Sequence, residues 1–327
     1  MRTSRYLPSI LVATVLLLAA VTAFADDKSL PSSSGGVVSD QKAGSILFFN
    51  VYTSSSINAV SENTQITVTN TSPNKSVTVH LFFVDGASCT PVDYSICMSP
   101  NLTFKFTTAE FDPGTTGYIM MVAVDANGCP IVHNFLVGDE FVKFASGHQA
   151  NLAAEGVAAK EAPDCDELSG IAVLNFDGTQ YDRLPSTVAI DNIPSVADGN
   201  STMVFLNRPS GDFILGADTI GQVYALLYDD QERAHSFGFS ATTCQFKLVF
   251  TATTPRIAPR FGTVVPQGHT GWVRLLTSRE IPLLGAVFNY NPGASTSATA
   301  FTGGYNLHKL GTTTSKITIP SYAASCN

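Results

Sequence analysis

Gly114-Thr115-Thr116-Gly117-Tyr118 leads into the apolar run Ile119-Met120-Met121-Val122, a turn, and Pro130-Ile131-Val132. Its echo, Gly268-His269-Thr270-Gly271-Trp272, leads into Val273-Arg274-Leu275-Leu276, a turn, and Pro282-Leu283-Leu284. Glycine reaches backbone angles closed to other residues, so each motif reads as a sharp turn into a strand. The aromatic that follows supplies a large packing area, and Tyr118 and Trp272 are therefore expected in a core. Exposed on a sheet, the same two rings would be a ligand-stacking platform for a sugar. Upstream, Asn50 after Ile46-Leu47-Phe48-Phe49 matches Asn207 after Met203-Val204-Phe205-Leu206, and Gln65-Ile66 matches Gln222-Val223. A repeat of this length implies two duplicated domains, since solenoid units are far shorter.

The chain around these motifs is β-rich. Ile66 and Val68 alternate with Gln65, Thr67 and Thr69, as Val77, Val79, Leu81 and Phe83 do with Ser76, Thr78 and His80. Period two with β-branched residues predicts half-buried antiparallel strands. Tyr118 to Val124 is apolar throughout, which predicts a strand covered on both faces. Asp125-Ala126-Asn127-Gly128 carries the strongest hairpin signal. The Ala-rich run from Gln149 to Lys160 is compatible with one short helix, weakened by Gly156 and ended before Pro163. The fold class expected is all-β, with two tandem immunoglobulin-like β-sandwich domains arising from an internal duplication. The first spans 44–146, the second 168–327, and 147–167 is the linker between them.

Residues 1–25 read as a signal peptide: Arg2 and Arg5, an apolar core from Ile10 to Ala20, then Ala23-Phe24-Ala25 as a cleavage site. The apolar run is short against the roughly 20 residues of a membrane span, and no later segment reads as transmembrane. Polar residues 26–43, with Pro31-Ser32-Ser33-Ser34-Gly35-Gly36, read as a flexible tether. The expected destination is the cell envelope or the extracellular space. The formal charge of −8 becomes −10 once the two leader arginines are gone. That balance argues against nucleic acid or anionic lipid as a partner, because both need a basic face.

Six cysteines, Cys89, Cys97, Cys129, Cys165, Cys244 and Cys326, all lie beyond the leader. An even count in an oxidising compartment reads as three disulfides with 15 connectivities. Cys89 and Cys97 flank the polar stretch Thr90–Ile96 and could clamp the end of a hairpin. Cys244 with Cys326 would tie down the C-terminus, which leaves Cys129 for Cys165. Zinc is the rival reading, but no C-x-x-C or Cys/His cluster has zinc spacing.

In overall pattern the chain resembles secreted bacterial proteins built from tandem immunoglobulin-like β-sandwiches. The resemblance rests on the leader, the two glycine turns and strand pairs such as Gln65 to Val84, and covers most of 44–320. The Pro-punctuated segment 171–199 departs from it. By analogy it implies a structural or binding role.

Catalytic motifs give no contrary signal. No nucleophile elbow, phosphate loop or zincin helix stands in suitable context. The six histidines are scattered, and no cofactor or metal is assigned. Asp125-x-Asn127-Gly128 and Asp198-Gly199-Asn200 suggest Ca²⁺ ligation, but they lack the spaced oxygens and terminal Glu of an EF-hand and suit ordinary turns. The reading favoured is an exported, non-catalytic structural or interaction protein whose partner is a protein or a surface polysaccharide. A carbohydrate-binding protein is the alternative. An extracellular hydrolase is the third, and needs converging Asp, Glu or His side chains.

Overall fold

Alternating β-branched and aromatic residues dominate the chain, and in the computed structural model they form twenty-three strands among the described residues 36–166, 168–277, 281–293 and 300–323. Residues 1–35, which include the stretch read as a signal peptide, lie outside that range. The strands assort into five sheets. Sheet I holds β1 (Ile46–Thr53), β3 (Val77–Asp85), β4 (Pro91–Met98), β6 (Thr116–Val124) and β9 (Glu155–Val157) in the order β4-β3-β6-β1-β9. Sheet II holds β2 (Asn63–Asn70), β5 (Thr103–Thr107), β7 (Leu136–Lys143) and β8 (Gln149–Ala153) in the order β5-β2-β7-β8. Sheet III is β10 (Cys165–Asp166), β11 (Ile171–Phe176), β23 (Ser315–Pro320), β14 (Gly211–Asp212) and β15 (Gly216–Ala217), in that order.

Sheet IV runs β17 (Ala234–Ala241), β16 (Gly221–Asp229), β19 (Thr270–Thr277), β12 (Leu184–Pro194) and β22 (His308–Thr313). Sheet V runs β18 (Gln245–Val249), β13 (Ser201–Asn207), β20 (Leu284–Tyr290) and β21 (Gly303–Asn306). All pairings within the sheets are antiparallel except β14 with β23.

Each sheet shares a core with the next. Phe48, Phe82, Tyr118 and Met120 of sheet I meet Leu174, Phe176 and Ile317 of sheet III. The other face of sheet I, with Phe49, Leu81 and Phe83, meets Ile66, Val68 and Leu136 of sheet II. Phe144, just past β7, and Leu152 pack with Phe205 and Phe288 of sheet V, whose Val204 and Val287 meet Ile190, Val223 and Val273 of sheet IV. This succession of five small sheets resembles a five-bladed β-propeller, and it overturns the expectation of two tandem immunoglobulin-like sandwiches. Within each sheet the strand order crosses over instead of running as a simple meander.

The internal duplication is corrected with it. Ile46–Asn50 lies on β1 in sheet I, whereas Met203–Asn207 lies on β13 in sheet V. Gln65 sits on β2 in sheet II and Gln222 on β16 in sheet IV. What the two motifs share is position: each glycine turn opens the middle strand of a five-stranded sheet, β6 or β19. Gly117 cannot carry a Cβ, which would stand 1.9 Å from the Val84 carbonyl oxygen of the neighbouring strand.

Three further expectations fail for one reason, burial by a distant segment. Residues 77–84 are covered on both faces, and His80, expected on a polar face, is buried. The run 149–160 forms β8 and β9 instead of a helix, because Ala150 and Leu152 also fit period two and β7 offers a pairing edge. Residues 36–43 are held, not tethered: Val38 is buried, and the Lys42 ammonium lies 2.5 Å from Asp182.

Of the expected disulfides Cys129–Cys165 forms, whereas Cys89 and Cys244 pair with each other and not with Cys97 and Cys326. Cys89 pairs with Cys244 (Cα–Cα 5.5 Å) and Cys129 with Cys165 (5.7 Å). The stretch read as a polar loop between Cys89 and Cys97 is the extended strand β4, with Cys97 opposite Thr78 at its far end. Eight extended residues reach about 26 Å, far beyond disulfide range. Cys97 is itself disulfide-bonded, and Cys326 lies outside the described residues. The two bridges described are consistent with an oxidising, extracytoplasmic compartment. Among the described residues no helix is long and apolar enough to cross a membrane.

Candidate binding face on sheet IV

Sheets I and V are covered on both sides. Sheet IV is covered on one. On its inner side Val223, Ala225 and Leu227 of β16 and Val273 and Leu275 of β19 enter the core. Strand alternation then forces Tyr224, Leu226 and Tyr228, with Trp272, Arg274 and Leu276, onto the outer side. Cross-strand register sets Tyr228 against Trp272, Leu226 against Arg274, and Tyr224 against Leu276. The edge strand β17 adds Ser236, Gly238 and Ser240, all exposed, opposite Leu226, Tyr224 and Gln222. Across the sheet, Leu310 of β22 is 52% exposed.

The two rings expected to behave alike therefore part company. Tyr118 is 1% exposed beneath sheet III, while Trp272 is 37% exposed because no other sheet among the described residues covers it. Trp272 stacks on Tyr228 with centroids 4.4 Å apart and planes 9° from parallel. Stacking buries one face of each ring against the other. Tyr224, 48% exposed, is a second aromatic contact farther along β16. At the rim the Gly268 turn is held by its N–H donating to Asp198 (2.8 Å), and Asp230 meets His269 at 2.5 Å. Tyr224, Tyr228 and Arg274 escaped the sequence reading. Both faces of β16 and β19 carry apolar residues, so periodicity alone does not say which side is covered.

Two other polar constellations lie elsewhere. Glu140 and Glu155 are both sealed from solvent. Burial pushes Glu140 well above the usual carboxylate range, and its carboxylate accepts the Val51 N–H at 3.3 Å. Burial also raises Glu155, although the Lys309 ammonium at 2.7 Å works against it. Asn50 donates to Asn306 (2.8 Å) in the same network. This cluster bonds segments distant in sequence and presents nothing to a substrate.

The second joins His80 Nε2 to Asp93 (2.7 Å) and to the Tyr322 hydroxyl (3.1 Å), with Tyr322 also on Asp93. The His80 hydrogen bond is the main force holding the Asp93 carboxyl below its usual range. No serine or cysteine nucleophile takes part in these contacts, which pin the segment after β23 to β3 and β4.

The turn carboxylates weighed for Ca²⁺ serve the backbone: Asp125 accepts from the Asn127 and Cys129 N–H groups. Among the described residues no three His, Cys, Asp or Glu side chains converge as metal ligands.

No protein-family description and no curated protein matches the chain. Among solved structures, the crystal structure of Thermotoga maritima 1070 is similar over 37% of this chain and 98% of its own, at 12% identity and a TM-score of 0.27. A likeness that distant carries no argument about fold or function.

Proposed function

We propose that this is an exported, non-catalytic interaction protein of the cell envelope or extracellular space, and that the open face of sheet IV is its contact surface. One observation carries the reading: Tyr224, Trp272 and Leu310 stand exposed on the uncovered side of a sheet whose other side is core. Exposed aromatic residues on an uncovered sheet face are the usual anchors of an interaction site, and they dominate the energetics of contacts that form there. Face-to-face stacking of Trp272 on Tyr228 leaves less ring surface for a sugar than two coplanar rings would, so a flat platform is not the arrangement here.

Trp272 is the only tryptophan in the chain, so its fluorescence reports on this face alone. A partner seated there should shift Trp272 emission and protect it from acrylamide, and Tyr224→Ala should weaken binding by about 1–2 kcal/mol. A partner bound with Trp272 still fully quenchable would place the contact elsewhere. Turnover of glycoside, ester or peptide substrates that is lost on replacing a single Asp, Glu or His would defeat the non-catalytic reading.

A further inference from the structure

Several charges on the open face of sheet IV and its rim are paired among the described residues. Asp191 meets His308 at 3.3 Å, and at the rim Asp230 meets His269. Arg274 is exposed in the middle of the face, opposite Leu226 on one side and Ala189 on the other, and has no ion-pair or hydrogen-bond partner among the described residues. It is a lone cation on an aromatic surface; the formal charge of −8 leaves no broad basic face, so recognition of an anion here rests on this one local contact. Tyr224 and Tyr228 are four residues apart on β16, about 13 Å at the strand rise, and the register puts Arg274 midway between them.

We infer that this face binds an acidic polysaccharide, with a sugar carboxylate on Arg274 and sugar rings against Tyr224 and the Trp272–Tyr228 pair. The inference rests on the reading of sheet IV as the contact surface. A guanidinium is a planar fork that takes a carboxylate through two parallel hydrogen bonds, and an unpaired one supplies the charge complementarity. Aromatic rings offer apolar area to the C–H faces of a sugar ring. Exposed Ser236, Ser240 and Gln222 stand beside them as donors and acceptors for hydroxyl groups. The two aromatic contacts are too far apart for one sugar ring, so the ligand must span several sugar units.

The test uses the disulfide-bonded chain and four probes: polygalacturonate, alginate, fully methyl-esterified homogalacturonan and poly-L-glutamate. Binding is read by calorimetry and by Trp272 fluorescence. At least one acidic polysaccharide should bind. Arg274→Gln should weaken that binding roughly tenfold to a hundredfold, as expected for a lost charge-assisted contact. Arg274→Lys should fall between, and the esterified polymer should not distinguish Arg274→Gln from the parent chain. Failure of both acidic polysaccharides to bind overturns the inference, as does binding indifferent to Arg274→Gln. Tighter binding of poly-L-glutamate would assign the face to an acidic peptide and overturn it too. A neutral polymer that protects Trp272 regardless of Arg274 would refute the acidic ligand but keep the face. Binding that survives both Arg274→Gln and Trp272→Ala would refute the face itself.

Discussion

Removing the Cys89–Cys244 bridge by the double substitution Cys89→Ala/Cys244→Ala tests the topology most directly. The bond closes a loop of 155 residues between sheet I and the turn before β18. Cys129–Cys165 lies inside that loop and shortens the path by 36, leaving roughly 120 residues of free chain to close. Loop-closure entropy for that length corresponds to about 5 kcal/mol at 25 °C, whereas a Cys89–Cys97 loop would be worth only about 2.5 kcal/mol. Against a typical total of about 5–15 kcal/mol, the loss is large. Urea unfolding followed by circular dichroism should show the midpoint falling by on the order of 2 M, with a steeper transition because the unlinked chain exposes more surface. A non-reducing digest of the parent chain should yield a cross-linked peptide containing Cys89 and Cys244. A midpoint shift of a few tenths molar, or a cross-link between Cys89 and Cys97, would refute both the bridge and the sheet arrangement that allows it.

Glu140→Gln should alter the pH dependence of stability. Because burial raises the folded-state pKa, the folded chain keeps a proton that the unfolded chain releases once pH passes the ordinary value of 4.5. Stability from this group is present below that pH and lost as pH rises through the folded pKa. The Tm of Glu140→Gln relative to the parent should therefore climb between pH 4 and pH 7, and a difference constant with pH would count against the reading. Gly117→Ala should cost about 3 kcal/mol or more, since the added methyl collides with a backbone carbonyl that cannot move without breaking the β3–β6 ladder. Gly303→Ala, where nothing lies within 4 Å of the new methyl, should change stability by less than about 0.5 kcal/mol. Equal effects at the two glycines, measured by thermal unfolding, would show the close approach at Gly117 to be unimportant.

The sequence by itself determined the all-β class, because alternation such as that of Gln65–Thr69 in β2 is a local property of the backbone. It also determined that Gly114 and Gly268 turn the chain, and both have the positive φ that glycine tolerates, +87° and +78°. Only the tertiary structure decided which sheets cover which. Tyr118 and Trp272 follow the same motif, yet sheet III lies over the first and no other sheet among the described residues lies over the second. The same distinction made Thr90–Ile96 an edge strand instead of a loop, and with it sent Cys89 to Cys244. Period two says that a strand has two faces. Contacts between residues far apart in the chain decide which of those faces meets water, and in this protein that decision makes the candidate site.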